Sequence, residues 1–240
     1  MAKYAFSDLH GNMEVWKKIK ARVQPNDELY CLGDIIDRGE NGYDICLDMM
    51  QRPHMKFIKG NHEMMAIQAL PWLAKNESRM REVDNWFWNG GGKTWDNIEF
   101  KLLNLTDKQF KRKVWELIDW FNEMADEISF CNKNNQTIIL SHAGFTPDIW
   151  ADLGWDRNHF WDSWPENHDN EIIIHGHTPV QYLRKSLDMG FMDSRIKVDQ
   201  EPAAAIRYAE GHKIDIDCGT IISNRAALVN LDTLEITYAE

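Results

Sequence analysis

Gly33-Asp34-Ile35-Ile36-Asp37-Arg38-Gly39 follows directly on Glu28-Leu29-Tyr30-Cys31-Leu32, a run whose composition reads as a short strand. Two carboxylates and a guanidinium are thereby held between glycines at a strand end. A charged surface turn has the same composition. The stretch means more if other polar residues end strands in the same way, because the strand ends of one sheet converge in space.

Outward from it the pattern recurs. Upstream, residues 3–7 read as a buried strand, and residues 12–23 as a helix with apolar Met13, Val15, Trp16 and Ile19. Downstream, residues 42–50 have helical spacing and Pro53 stops them; a third strand over 55–59 runs into Gly60-Asn61-His62-Glu63. Helical periodicity resumes over 64–75, with an interruption at Pro71. Strand, polar loop and helix repeated three times predict an α/β fold whose early strands are mostly parallel, with ligands bound at the edge where the loops gather.

Residues 76–127 break this rhythm and read as a helical insert: a loop rich in Asn, Gly and Trp, then a helix over 107–127 with Thr106 as N-cap. Strands return at 136–140, ending in Ser141-His142-Ala143-Gly144, and at 171–174, ending in His175-Gly176-His177-Thr178-Pro179. Late strands follow at 213–217 and 226–238, the latter a hairpin through 230–233. No repeat or linker divides the chain, so a single domain over 1–240 is expected.

Composition limits the partners. With 27 basic and 38 acidic residues the net charge is −11, which repels nucleic acid and anionic membranes and suits a collector of divalent cations. Cys31, Cys46, Cys131 and Cys218 are scattered, so neither a thiolate zinc site nor a disulfide framework is written here, and a reducing cytosol fits. Without a signal core or an apolar run of membrane length, the expected compartment is cytoplasmic.

The strand ends collect Asp8 and His10; Asp34, Asp37 and Arg38; Asn61 and His62; His142; and His175 with His177. Singly, each is an ordinary turn former or a satisfied histidine. Together, five of the nine histidines fall at strand ends within two positions of Gly, Asp or Asn, while His54, His159, His168 and His212 lie elsewhere. Mixed carboxylate, imidazole and amide donors suit Mn, Fe or Zn, and two ions sharing one carboxylate need about this many ligands.

These motifs, in this order over residues 5–179, resemble the calcineurin-like metallophosphoesterases, most closely the phosphoprotein phosphatase branch with its bacterial and phage members. The resemblance implies a β-sandwich of mixed sheets flanked by helices and two divalent metal ions, with Mn the first choice. Asp8 and His10 would hold the first ion, Asp34 would bridge, and Asn61, His142 and His177 would hold the second, with Asn61 also facing substrate. A bridging hydroxide would attack phosphorus, His62 oriented by Asp37 would protonate the leaving alkoxide, and Arg38 and Arg157 would clamp the phosphate. Arg157 has a surface arginine as its alternative, and His175 either supports the neighbouring ligand or is simply packed. The implied substrate is a phosphoserine or phosphothreonine protein or peptide. The alternative is a dinucleoside polyphosphate, whose hydrolases usually have another residue at the position of Asp37.

Three features invite misreading. Gly90-Gly91-Gly92-Lys93-Thr94 imitates a P-loop, but Phe87 stands where its first glycine belongs, and a turn carrying aromatic residues to the site rim is expected instead. Cys46 and Arg52 have the spacing of cysteine phosphatases but lack the glycines, so a helix is expected. Asp215 and Asp217 share a strand face and are expected to give polar support rather than a third metal site. Among the 11 tryptophans, Trp88 and Trp155 are candidates for lining a groove beside the metals.

Overall fold

The computed structural model describes residues 1–190 and 202–240. In chain order its first half has β1 (Lys3–Phe6), α1 (Met13–Arg22), β2 (Glu28–Cys31), α2 (Gly42–Gln51), β3 (Met55–Phe57) and α3 (Asn61–Leu73). Then come α4 (Arg81–Trp88), α5 (Gly91–Leu102) and α6 (Asp107–Asn122). The second half has β4 (Glu127–Cys131), β5 (Thr137–Ser141), β6 (Glu171–His175), α7 (Val180–Met189), β7 (Ile206–Tyr208), β8 (Lys213–Asp215), α8 (Thr220–Ser223), β9 (Ala226–Asn230) and β10 (Ile236–Ala239).

Among the described residues the strands form two mixed sheets, ordered β10-β9-β1-β2-β3 and β4-β5-β6-β8-β7. Alternation along the strands explains why the sheets stack. On β1 and β2, Ala5 and Tyr30 point into a core shared with Ile138, Leu140, Ile172, Ile174 and Ile214 of the other sheet. Phe6, Leu29 and Cys31 point the opposite way, into a second core under the helices with Trp16, Ile45, Met65 and Leu117. A smaller cluster of Leu183, Phe160 and Tyr208 lies under α7. The result is the expected sandwich with helices outside both sheets.

The runs β1-β2-β3 and β5-β6-β8 are each parallel. Their carboxyl ends therefore fall along one edge of each sheet, and the two edges face each other.

Local expectations fail at three places. Residues 76–127 hold three helices and the start of a strand, rather than a loop and one long helix. Gly90, at φ 101°, makes the left-handed joint on which α4 and α5 hinge, and a glycine-rich composition hides it as a loop. The expected helix ends at Asn122 rather than Glu127, and β4, not among the expected strands, begins at Glu127, with Ile128 and Phe130 alternating with exposed neighbours. Finally, α3 begins at Asn61 and runs through Pro71, which places Asn61, His62 and Glu63 in a first helical turn rather than in a loop.

Candidate metal centre

The loops at the facing edges are unusually bent. Asp8, His10, Asp34, Asp37, Arg38 and His177 all have positive φ, between 45° and 74°. For non-glycine residues this conformation costs of order 1 kcal/mol each and persists only where surroundings enforce it. The enforcing groups are visible. Glu63 is fully buried and accepts the N–H groups of Asp34 at 2.8 Å, Ile35 at 2.9 Å and Gly60 at 3.0 Å, tying the Asp34 loop to the start of α3. Burial and the nearby Asp34 charge push the Glu63 carboxyl up to about 7, while these N–H donors oppose the shift. Gly60 itself has no room for a side chain, since a Cβ would stand 2.5 Å from the Asp34 nitrogen.

Asp34 stands at the middle. Its Oδ2 lies 3.6 Å from His10 Nε2 and 3.8 Å from His62 Nε2, and its Oδ1 lies 3.4 Å from His142 Nε2. Two of the sets of side-chain donors close enough to share an ion are His10, Asp34 and His62, and Asp34, His142 and His177. Asn61 joins the second set, its Oδ1 lying 3.0 Å from His142 Nε2 and 2.9 Å from His177 Nδ1.

The donor chemistry fits divalent cations. His142 Nδ1 donates to the Leu32 carbonyl at 2.7 Å, and burial lowers its pKa, so in the neutral ring Nε2 is a lone pair. That lone pair faces two further acceptors, Asp34 Oδ1 and Asn61 Oδ1, an arrangement a shared cation satisfies and a proton network does not. His10 repeats the design, with Nδ1 against the Ile36 carbonyl at 3.1 Å and its pKa driven down by burial and by Arg38. Burial and His142 likewise hold His177 well below the usual range, and its buried Nε2 has no hydrogen-bond partner. Burial alone would raise Asp34, but the surrounding His142, His62 and His10, which take up protons as pH falls, outweigh it and hold the carboxyl below the usual range.

Asp8 is placed differently from the other expected ligands. It is buried beside the centre, accepts the His177 N–H at 3.1 Å, and lies outside the two groups above, while His62 lies inside one. Burial, Asp217 and Asp34 all push its pKa up.

The remaining expected residues ring the centre. His62 Nδ1 is 2.7 Å from Asp37 Oδ2; burial opposes charge on the ring, but Asp34 and the Asp37 hydrogen bond prevail and raise its pKa. Arg38 reaches His10 Nε2 at 2.7 Å and His62 Nε2 at 3.0 Å. Arg157 is exposed at the surface and donates through Nε to Thr178 Oγ1 at 3.0 Å, next to His177. His175 points away, its Nε2 on the Tyr208 hydroxyl at 2.7 Å. Asp215 and Asp217 are buried behind the centre, Asp217 pushed to about 7 chiefly by burial, and neither belongs to the two ion-sharing groups.

Some contributors are invisible as motifs. Asp37 is held by Trp86 Nε1 at 2.8 Å and by Thr94 Oγ1 at 2.8 Å, and its own N–H donates to Thr94 Oγ1 at 2.8 Å. Thr94 is the last residue of the P-loop imitation, so that segment serves the site as a brace. His159, set aside in the sequence, is buried with Nε2 on the Ala143 carbonyl at 2.8 Å, directly beside His142. Only Glu63 had a sequence signal, an acid at the third position of a helix following a strand-end glycine.

Comparison with known proteins agrees with this geometry. The calcineurin-like phosphoesterase family matches residues 3–216. A symmetrical bis(5'-nucleosyl)-tetraphosphatase from Haemophilus ducreyi is 35% identical over 193 residues, covering 78% of this chain and 58% of that protein. Serine/threonine-protein phosphatase 1 from Salmonella typhimurium is 33% identical over 91 residues, covering 37% of this chain and 38% of that protein. The chain spans between 27% and 58% of the length of four curated relatives that it matches. The solved structure of a protein serine/threonine phosphatase from Saccharomyces cerevisiae shares the fold with a TM-score of 0.55 at 13% identity, covering all of this chain and 80% of that one. A match over nearly the whole chain, on a sandwich whose facing edges gather neutral imidazoles around one carboxylate, places the chain in the calcineurin-like phosphoesterase family.

Proposed function

We propose that this chain hydrolyses phosphate monoesters at a pair of divalent cations, with phosphoserine and phosphothreonine in polypeptides as the substrate class. The observation that carries the reading is the buried Asp37–His62 pair at 2.7 Å, an acid set beside the centre for a poor leaving group. An alkoxide departs slowly unless protonated, so a donor opposite the attacking side contributes about 10²–10⁴-fold.

Asp34 and Asn61, with His10, His142, His177 and Asp8, would hold the cations, with Mn the first to test and Fe or Zn compatible with the same donors. When bound, the cations supply Lewis-acid stabilisation of phosphoryl oxygens and acidified water at the centre. The chain does the rest. Arg38 and Arg157 bind the equatorial phosphate oxygens, Arg38 with a planar fork suited to two of them. Arg38 now donates to His62 Nε2, the atom that must carry the catalytic proton. Phosphate oxygens compete for that guanidinium, so substrate binding frees Nε2 to be protonated. Asp37 accepts from Nδ1 throughout and favours the imidazolium against the cations' charge.

Cleavage of dinucleoside polyphosphates is the second reading, supported by the 35% identity to a symmetrical tetraphosphatase. Anhydride cleavage releases a phosphate and has less need of the His62 proton. The test is turnover of phosphoserine peptide, phosphotyrosine peptide and diadenosine tetraphosphate with Mn present, in the wild type and in His62→Asn. The proposal expects the highest kcat/KM on phosphoserine peptide and a loss of kcat there with retained Mn. A preference for the tetraphosphate, little affected by His62→Asn, supports the second reading.

A further inference from the structure

Lys213 on β8 is wholly buried, yet its ammonium contacts neutral oxygens. Nζ donates to Thr146 Oγ1 at 2.6 Å and to the His159 carbonyl at 2.6 Å. Tyr208 and Trp164 present their rings at 5.9 and 6.0 Å, and burial pushes the pKa down to about 8. An ammonium of this kind is costly to bury, and an unbranched apolar side chain of similar length would fill the space without that cost. The contacts indicate what the charge does.

Thr146 and His159 are the two ends of one loop. Between them lie Trp155, whose ring meets His177 edge-on at 6.0 Å, and Arg157, tied to Thr178 at 3.0 Å. The start of the loop is pinned by His159 to the Ala143 carbonyl, and Ala143 N–H donates to Leu153 at 2.8 Å. One buried cation therefore joins both ends of a compact surface loop at its base, as the closing contact of an Ω-loop does.

We propose that Lys213 is a positioning residue that clasps the loop 146–159 and so sets Arg157 for phosphate. The inference rests on the reading above, in which Arg157 grips the phosphoryl group. A loosened clasp would weaken phosphate binding before it touched the acid His62 or the cation ligands.

The test uses the full chain with Mn, comparing wild type, Lys213→Met and Thr146→Val. Inorganic phosphate binding is read by calorimetry, steady-state kinetics on a phosphoserine peptide, and amide hydrogen exchange over residues 147–158. Both variants are expected to raise the phosphate dissociation constant and KM about tenfold, with kcat and Mn content retained and faster exchange in the loop. Thr146→Val is the milder change and decides the matter if Lys213→Met does not fold. Unchanged phosphate affinity in Thr146→Val, or a fall in kcat with KM unmoved, overturns the clasp. A wild type that binds phosphate through Arg157 but turns over no monoester defeats the proposed activity and leaves the clasp to be judged by binding alone.

Discussion

His62 has two carboxylates for neighbours and a guanidinium in contact, and the balance sets its pH behaviour. Burial disfavours its charge, Asp34 and Asp37 overcome that, and the folded ring holds its proton more tightly than an ordinary imidazole at 6.5. The group therefore adds stability that is fully present below the ordinary value and is lost as pH rises through the raised one. In the proposed reaction the same titration would remove the proton donor, so kcat on a phosphoserine peptide should fall on the alkaline side. Asp37→Asn should move that limb toward lower pH and lower kcat about ten- to hundredfold with metal content unchanged, read from a pH profile with metal analysis. A profile identical to the wild type would show that Asp37 does not govern the ring. At Asp34 the consequence differs: Asp34→Asn should reduce both bound Mn and turnover, because its two oxygens face histidines on both sides.

At the scale of elements, α3 and the α4–α5 joint serve the strand-end loops as braces. Glu63→Gln keeps the size but loses the charge that accepts three close N–H groups, and should cost about 1–3 kcal/mol in urea unfolding while lowering Mn affinity. Thr94→Val leaves the buried Asp37 N–H without its acceptor and should cost a similar amount, with the loss in kcat exceeding that in KM. These braces also mark what the sequence could and could not reveal. The convergence of the polar strand-end loops was legible because glycines and short polar residues punctuate apolar strands at places topology forces together. Thr94 was not, because it meets Asp37 across 57 positions of chain and no local pattern encodes that distance. The helical joint at Gly90 was misread because glycine-rich composition looks like loop, and the strand at Glu127–Cys131 was passed over because a five-residue run with Ile128 and Phe130 as its inward positions is too short to show a period.

For the whole molecule, the centre spans both sheets. Asp8, His10, Asp34 and Asn61 follow strands of one sheet, while His142 and His177 follow strands of the other. Cations held by both sets bind the folded protein and not the unfolded chain, so Mn at a hundred times its dissociation constant should add about 2.7 kcal/mol of stability. Thermal unfolding with Mn and with chelator checks this, and the shift should shrink in His177→Ala, whose ligand belongs to the second sheet. No described helix is long and apolar enough to cross a membrane. The sheet order carries one more consequence, in the time of synthesis. β1 pairs on one side with β2 and on the other with β9, Tyr4 lying opposite Asn230. At about 5–20 residues per second, Asp8 and His10 leave the ribosome some tens of seconds before the strand that completes their support. If the proposed centre binds cations, a nascent chain carries its first half without a finished scaffold, and tight binding is expected only once β9 has paired with β1.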